Sequence, residues 1–230
     1  MSLNYDAAVG LVRSVYDRGI KTPPVLEARR YFPNASIFTE RWRDIRHEAL
    51  KAAAELGNIP RLHEIMAAQS DISANDGRDW RMLILKAYGV ALPHNLKHCP
   101  VIAPLLAQAP EAVSCVLSFI APGKHIPVHR GPFRSILRFH LMLSMPCDAN
   151  GRPACVMEID GVPFRLAEGS SLLWDATYPH EVWNRSDQVR VALLLDVWRK
   201  NMPWHLELMS RAFMRGVQLL MRLLGTSYSA

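Results

Sequence analysis

Three histidines, His125, His129 and His180, stand where a metal ligand would be of use. His125 and His129 are four residues apart, a spacing that serves zinc on a helix. Pro127 lies between them in an extended context, and four extended residues span roughly 13 Å, too far for one metal. These two are therefore not a local pair. His180 follows Asp175-Ala176-Thr177-Tyr178-Pro179, just after an expected strand, from which it would meet His129 across a barrel. Two distant histidines do not by themselves single out a metal site. In the run Ile136-Leu137-Arg138-Phe139-His140-Leu141-Met142-Leu143, alternation puts Leu137, Phe139, Leu141 and Leu143 on one face and Arg138 with His140 on the other. That second face is either a polar barrel interior or the wet side of a sheet. Arg190 opens the otherwise apolar run Val189 to Asp196. It either emerges at a rim or offers its guanidinium fork as a bidentate clamp for a carboxylate.

The elements that position these groups change character along the chain. The first part reads as helical: an apolar stretch from Ala7 to Val15 is closed by Thr22-Pro23-Pro24, and Trp42 to Leu56 forms a helix preceded by Thr39 and stopped by Gly57. Pro60 opens a short helix through Ile65, the polar segment 69–79 reads as loop, Trp80 to Tyr88 as a strand, and 101–108 as a short helix. Trp80 reads as core. After about Ala112, strands are expected at Val113–Ile120, Ser135–Met145, Ala154–Ile159, Val162–Leu166, Ser171–Trp174 and Val189–Trp198, divided by turn signals such as Asn150-Gly151, Asp160-Gly161 and Glu168-Gly169. Short strands at close intervals indicate a mainly β fold, a sandwich or jelly-roll barrel. One catalytic domain over 1–230 is expected: a helical part at 1–110, a β core at 111–200 and a C-terminal amphipathic helix within 201–230.

Composition is that of an ordinary globular chain, half apolar and 21% charged. The four cysteines form no C-x-x-C pair, which suits reduced thiols in a cytoplasmic protein. The first residues lack the pattern of a secretory signal, and no stretch approaches the roughly 20 apolar residues of a membrane span. The net charge of +6 favours anionic partners. Zinc-finger spacing, phosphate-cradling glycine loops and nucleic-acid modules are absent from the sequence, so no nucleic-acid partner is expected.

The stretch Ser118 to Trp198 resembles the aspartyl/asparaginyl β-hydroxylase family. The resemblance is carried by Ala121-Pro122-Gly123-Lys124-His125-Ile126-Pro127-Val128-His129-Arg130-Gly131-Pro132, then Leu137-Arg138-Phe139-His140-Leu141, Glu168-Gly169, Trp174-Asp175, His180-Glu181-Val182-Trp183-Asn184, Arg190 and Asp196-Val197-Trp198. It implies a double-stranded β-helix (cupin-like) core that binds Fe(II) and the cosubstrate 2-oxoglutarate and uses O2 to hydroxylate an unactivated C–H bond. It also implies His129 and His180 as iron ligands, Arg190 and Ser118 as partners of the distal 2-oxoglutarate carboxylate, and Arg138 and His140 lining the same site. Iron oxygenases usually add a carboxylate two residues after the first histidine; here that position is Gly131, and the family is similar in lacking the acid.

The substrate is left between two classes. Ile136 replaces a basic residue of peptide-hydroxylating members, and Asp175-Ala176 replaces their paired acids. Both departures favour a lipid acyl chain, as in the lipid A and ornithine lipid hydroxylases that the segment also resembles. The alternative is Asp or Asn of a peptide, protein or amino acid. A non-catalytic cupin-like binding protein is a further reading, disfavoured by the joint presence of all six site residues. In 204–224, Leu206, Met209, Phe213, Val217, Leu220 and Leu224 recur at helical spacing opposite Arg211, Arg215, Gln218 and Arg222. Such a helix either lies on an anionic membrane, placing the protein peripherally on its inner face, or packs on the barrel. Lys124, His125, Arg130 and Arg134 read either as a basic rim near the iron, suited to phosphate or headgroups, or as ordinary exposed loop residues.

Overall fold

The computed structural model describes residues 2–57 and 59–224. In chain order the helices are α1 (Ser2–Gly19), α2 (Ala28–Tyr31), α3 (Ala35–Glu40), α4 (Trp42–Leu56), α5 (Leu62–Ile65), α6 (Ser70–Ser73), α7 (Pro93–Leu96), α8 (Ile102–Gln108) and α9 (Trp204–Leu224). The strands are β1 (Val25–Leu26), β2 (Trp80–Ala87), β3 (Val90–Ala91), β4 (Ala112–Ile120), β5 (His125–His129), β6 (Ile136–Ser144), β7 (Cys155–Ile159), β8 (Val162–Phe164), β9 (Ser171–Trp174), β10 (His180–Asn184) and β11 (Arg190–Trp198).

Two antiparallel sheets result, one ordered β1-β9-β6-β11-β4-β2-β3 and the other β5-β10-β7-β8. From β4 onward the chain passes back and forth between them, so that β9-β6-β11-β4 faces β5-β10-β7-β8. That is the double-stranded β-helix. Alternation along the strands of the large sheet makes its two faces different. Outward, Leu117, Phe139, Leu141, Leu193 and Leu195 join Phe38, Ile45 and Ile102 of the helical layer in the main core. Inward, toward the small sheet, stand Met142, Leu194, Trp80 and Trp174 with Ile126 and Val182 from opposite. Arg138 and His140 share this inward side, as the alternation predicts.

Several elements differ from expectation. Thr39 lies inside α3, and Arg41 is the single non-helical residue that separates α3 from α4. Gly57 ends α4 at φ +63° as expected. Besides β2, which was expected, the early part also supplies β1 and β3 to the large sheet. The segment 69–79 is not all loop: it begins with the end of a 3-10 turn and α6. Neither β5 nor β10 shows apolar alternation, because histidines, Pro127, Glu181 and Asn184 interrupt it. Their strand character comes from pairing with neighbouring strands of the small sheet instead.

The start of β5 is fixed by that polar segment. Lys124 is fully buried, and its Nζ donates to Ser73 O (2.8 Å), Asn75 Oδ1 (2.7 Å) and Asp76 Oδ1 (2.6 Å). Asp76 also accepts the His125 N–H at 2.9 Å. Burial alone would raise the Asp76 carboxyl; the bonds from Lys124 and from the His125 and Arg78 N–H groups overcome it and hold it low. A lowered acid stabilises the fold above its unfolded value near pH 3.8 and loses that contribution as pH falls through the folded value. Lys124→Met is expected to cost about 2–4 kcal/mol at neutral pH, with the gap from the parent protein narrowing below about pH 4. Urea unfolding at both pH values checks this.

Candidate active site

His129 on β5 and His180 on β10 are direct register partners across an antiparallel pair. Opposed residues of such a pair point to the same side, and their ring centroids are 4.0 Å apart. Each Nδ1 lies against a carbonyl two residues earlier, Pro127 O at 2.8 Å and Tyr178 O at 2.9 Å. A carbonyl only accepts, so both Nδ1 atoms carry the proton and both Nε2 lone pairs are left over, the tautomer a metal requires. Burial is the main force lowering both side chains; His129 adds to it at His180, which is pushed down to about 2. Both imidazoles are thus held neutral. The register that opposes them is tied at the far end of β10 by Asn184, whose buried amide donates to Ile120 O (3.1 Å), Ala121 O (3.0 Å) and Gln188 O (2.8 Å).

The cavity the histidines enter is also lined by Ser118, Arg138, His140 and Arg190. All six residues singled out in the sequence therefore meet in one place, drawn from β4, β5, β6, β10 and β11. Arg190 is buried and has no ion pair among the described residues; its Nε has no hydrogen-bond partner, and burial lowers its pKa. Arg138 is different. Asp196 on the neighbouring strand holds it by two bonds, 2.8 and 3.1 Å. His140 Nδ1 is buried without a partner, and burial, then Arg190 and Arg138, push this imidazole far down. Ser118 Oγ accepts from Trp80 Nε1 at 3.0 Å, which leaves its own proton to donate. Trp80 was expected as core; it is core and also this hydroxyl's orienting partner, on the inward face with Met82. Trp174, half of the Trp174-Asp175 pair, lines the cavity edge-on to both His180 and His140.

Comparison with known proteins bears on these residues. The aspartyl/asparaginyl β-hydroxylase family model matches residues 39–200. The chain belongs to the aspartyl/asparaginyl β-hydroxylase family. Over 174 residues it is 33% identical to an ornithine lipid ester-linked acyl 2-hydroxylase of Rhizobium tropici, covering 76% of this chain and 60% of the relative. Over 202 residues it is 26% identical to human aspartyl/asparaginyl beta-hydroxylase, covering 82% of this chain and 25% of that protein. A solved Pseudomonas putida prolyl-4-hydroxylase is similar at TM-score 0.48 and 16% identity, over 84% of this chain and 98% of that one. The chain thus spans less than two thirds of the Rhizobium relative and about a quarter of the human one.

Among the described residues, no cluster of three His, Cys, Asp or Glu groups fit to hold a metal is found. The space around Gly131, where an acid was not found, is tight. Gly131 N–H donates to Ala176 O at 2.6 Å, and a Cβ at 131 would lie 3.1 Å from that oxygen. The facing loop is itself immobilised by Asp175, fully buried, which accepts from Arg134 Nε (3.0 Å), from Arg199 and from the Thr177 hydroxyl (2.7 Å). So Asp175, the member remaining where paired acids were sought, is bound to arginines and carries the loop into His180.

The basic rim is not formed. Lys124 is consumed by the α6 anchor, and Arg134 is buried between Asp175 and Asp17. His125 stacks on Trp183 at 4.6 Å and meets Glu181 at 3.0 Å, leaving Arg130 exposed. These residues pair because acids from distant segments arrive beside them, which spacing along the chain does not reveal.

Two substitutions test this loop. Gly131→Asp is expected to destabilise by about 1–3 kcal/mol through crowding and to leave Co(II) affinity no tighter, as calorimetric titration would read. Asp175→Ala leaves buried Arg199 without its acid and Arg134 with Asp17 alone, and should cost about 3–5 kcal/mol in unfolding experiments.

Proposed function

We propose that the protein is an Fe(II)- and 2-oxoglutarate-dependent dioxygenase that hydroxylates an unactivated C–H bond of a lipid acyl chain. The observation that carries this reading is the joint presence, in one cavity, of two neutral imidazoles with free Nε2 atoms and a buried, unpaired Arg190. His129 and His180 would hold the iron, their ring orientation set by the Pro127 and Tyr178 carbonyls. Arg190 and Ser118 would bind the distal carboxylate of 2-oxoglutarate: a buried guanidinium without an acid is a standing demand for one. When bound, iron and 2-oxoglutarate supply oxygen activation coupled to oxidative decarboxylation, chemistry that side chains alone lack. Arg138, neutralised by Asp196, and neutral His140 line the cavity without adding net repulsion toward Arg190. Ile126, Val182, Met157 and Leu194 give it apolar walls that exclude water.

Three observations support an acyl chain. The Rhizobium relative is named for an acyl 2-hydroxylase. An Asp side chain would ask for a second unpaired cation, and the other arginine of the cavity lining is already committed to Asp196. Ile136, where a basic residue was sought, is apolar and half-buried on the side of Arg138. Hydroxylation of peptide Asp or Asn, the activity in the human relative's name, is the second reading. The four thiols, all free, suit a reducing compartment, and we place the enzyme in the cytoplasm against the inner face of the membrane.

With Fe(II), 2-oxoglutarate and O2, a bacterial lipid extract should gain one oxygen atom per acyl chain, matched by succinate, while Asp and Asn peptides should not react. Mass spectrometry of both pools decides it; hydroxylated peptide with unchanged lipid would favour the second reading. Arg190→Met should raise the KM for 2-oxoglutarate about 100-fold, equivalent to roughly 3 kcal/mol.

A further inference from the structure

Helix α9 turns apolar side chains outward as well as polar ones. It rests on the body through Leu206, Ser210 and Met214, all nearly inaccessible. Leu206 reaches so close to α1 that a Cβ on Gly19 would stand 2.7 Å from its Cδ1. Ser210 meets the Tyr16 hydroxyl at 2.8 Å, and Gln218 donates to Tyr88 O at 2.8 Å. At about 100° per residue these inward groups occupy one arc. The opposite arc carries Trp204 (76% exposed), Leu208, Leu219, Leu220, Leu223 (74%), Phe213 and Met209. These seven span about 180° of the helix, with exposed Arg211 and Arg215 along the Trp204 edge. The face expected from the sequence is thereby revised, since Leu206 is turned inward while Leu208, Leu219 and Leu223 face out.

A continuous apolar strip of this length is not an ordinary solvated surface. We infer that this outward face of α9 is a docking surface for an anionic lipid bilayer, lying in the interface with Leu208, Leu219 and Leu223 immersed. The inference rests on the lipid-substrate reading above and names the surface from which that substrate would come. Charge selects the occupant. Arg215 and Arg211, the latter held by Glu207 at 2.7 Å in an exposed pair that headgroup phosphates can displace, border the apolar strip at the level where those phosphates lie, and exposed Trp204 is a residue type that favours that level. An antiparallel two-fold pairing with a second copy would instead bring the two arginine edges together, a like-charge contact. Among the described residues no helix is long and apolar enough to cross a membrane, so contact in the interface is the geometry available to α9. The face is also joined to the site. Phe213 packs on Phe133 at 5.1 Å, and Phe133 lies in the segment that leads from His129 to β6.

The test is co-sedimentation of the full chain with vesicles of phosphatidylglycerol and phosphatidylethanolamine, against vesicles of phosphatidylcholine alone. Strong binding to the first, weakened by salt, is expected. The variant L208E/L219E/L223E should bind at least about 30-fold less at an unchanged unfolding midpoint. R211E/R215E should lose the preference for anionic vesicles and so keeps the idea testable should the first variant misfold. Failure of the parent chain to bind, equal binding to both vesicles, or a dimer that the glutamates dissociate would each overturn the proposal. Vesicle binding without acyl hydroxylation would instead count against the substrate reading and leave the docking surface standing.

Discussion

His129 and His180 are brought together by the register of β5 against β10, and three buried polar clusters serve that register. The two strands are short, interrupted by proline and by charged residues, and have little apolar alternation to hold them in place. Their pairing is therefore secured from outside. Lys124, Asp76 and the end of α6 fix the beginning of β5; Asn184 binds the end of β10 to the β4–β5 turn; Asp175 with Arg134 and Arg199 fixes the loop that enters β10. A slip of one residue would send one imidazole to the opposite face. Each buried polar group in these three anchors is costly if left alone, so together they penalise every register but one.

The second constraint is the contrast between two inward arginines. Arg138 has Asp196 as its neighbour on the adjacent strand, so it behaves as structure that lines a cavity. Arg190 has no such neighbour among the described residues and sits in low-dielectric surroundings, where an unpaired guanidinium is expensive. A fold tolerates that expense where an anionic ligand removes it on binding. Gly131 is set by packing of another kind: a Cβ there would crowd the Ala176 carbonyl, so any side chain at this position requires the facing loop to shift.

Much of this was legible in the sequence. Period-two alternation in β6 put Arg138 and His140 on one face opposite an aliphatic row, but left open whether that face was the barrel interior or a wet side; the second sheet packed over it decides for the interior. Turn signals located most of the strands of the β core. The residues that escaped share one feature, a partner far away in the chain. β5 and β10 lack alternation and become strands by pairing. Lys124 and Arg134 look like rim cations until Asp76, Asp17 and Asp175 arrive beside them. Trp80 reads as core because only the fold brings Ser118 to its indole nitrogen. In α9, periodicity showed amphipathicity but not which arc the body would claim, since that depends on the shape of the groove between α1 and the β2–β3 turn.

The central claim is that the histidine pair and Arg190 together form one site for Fe(II) and 2-oxoglutarate. Anaerobic addition of Fe(II) and 2-oxoglutarate to the metal-free protein tests it most directly, read as a visible charge-transfer band. The band should appear with the parent chain, vanish in His129→Ala and weaken in Arg190→Ala while both variants stay folded. A folded parent chain that gives no band, or a band indifferent to His129, would contradict the account.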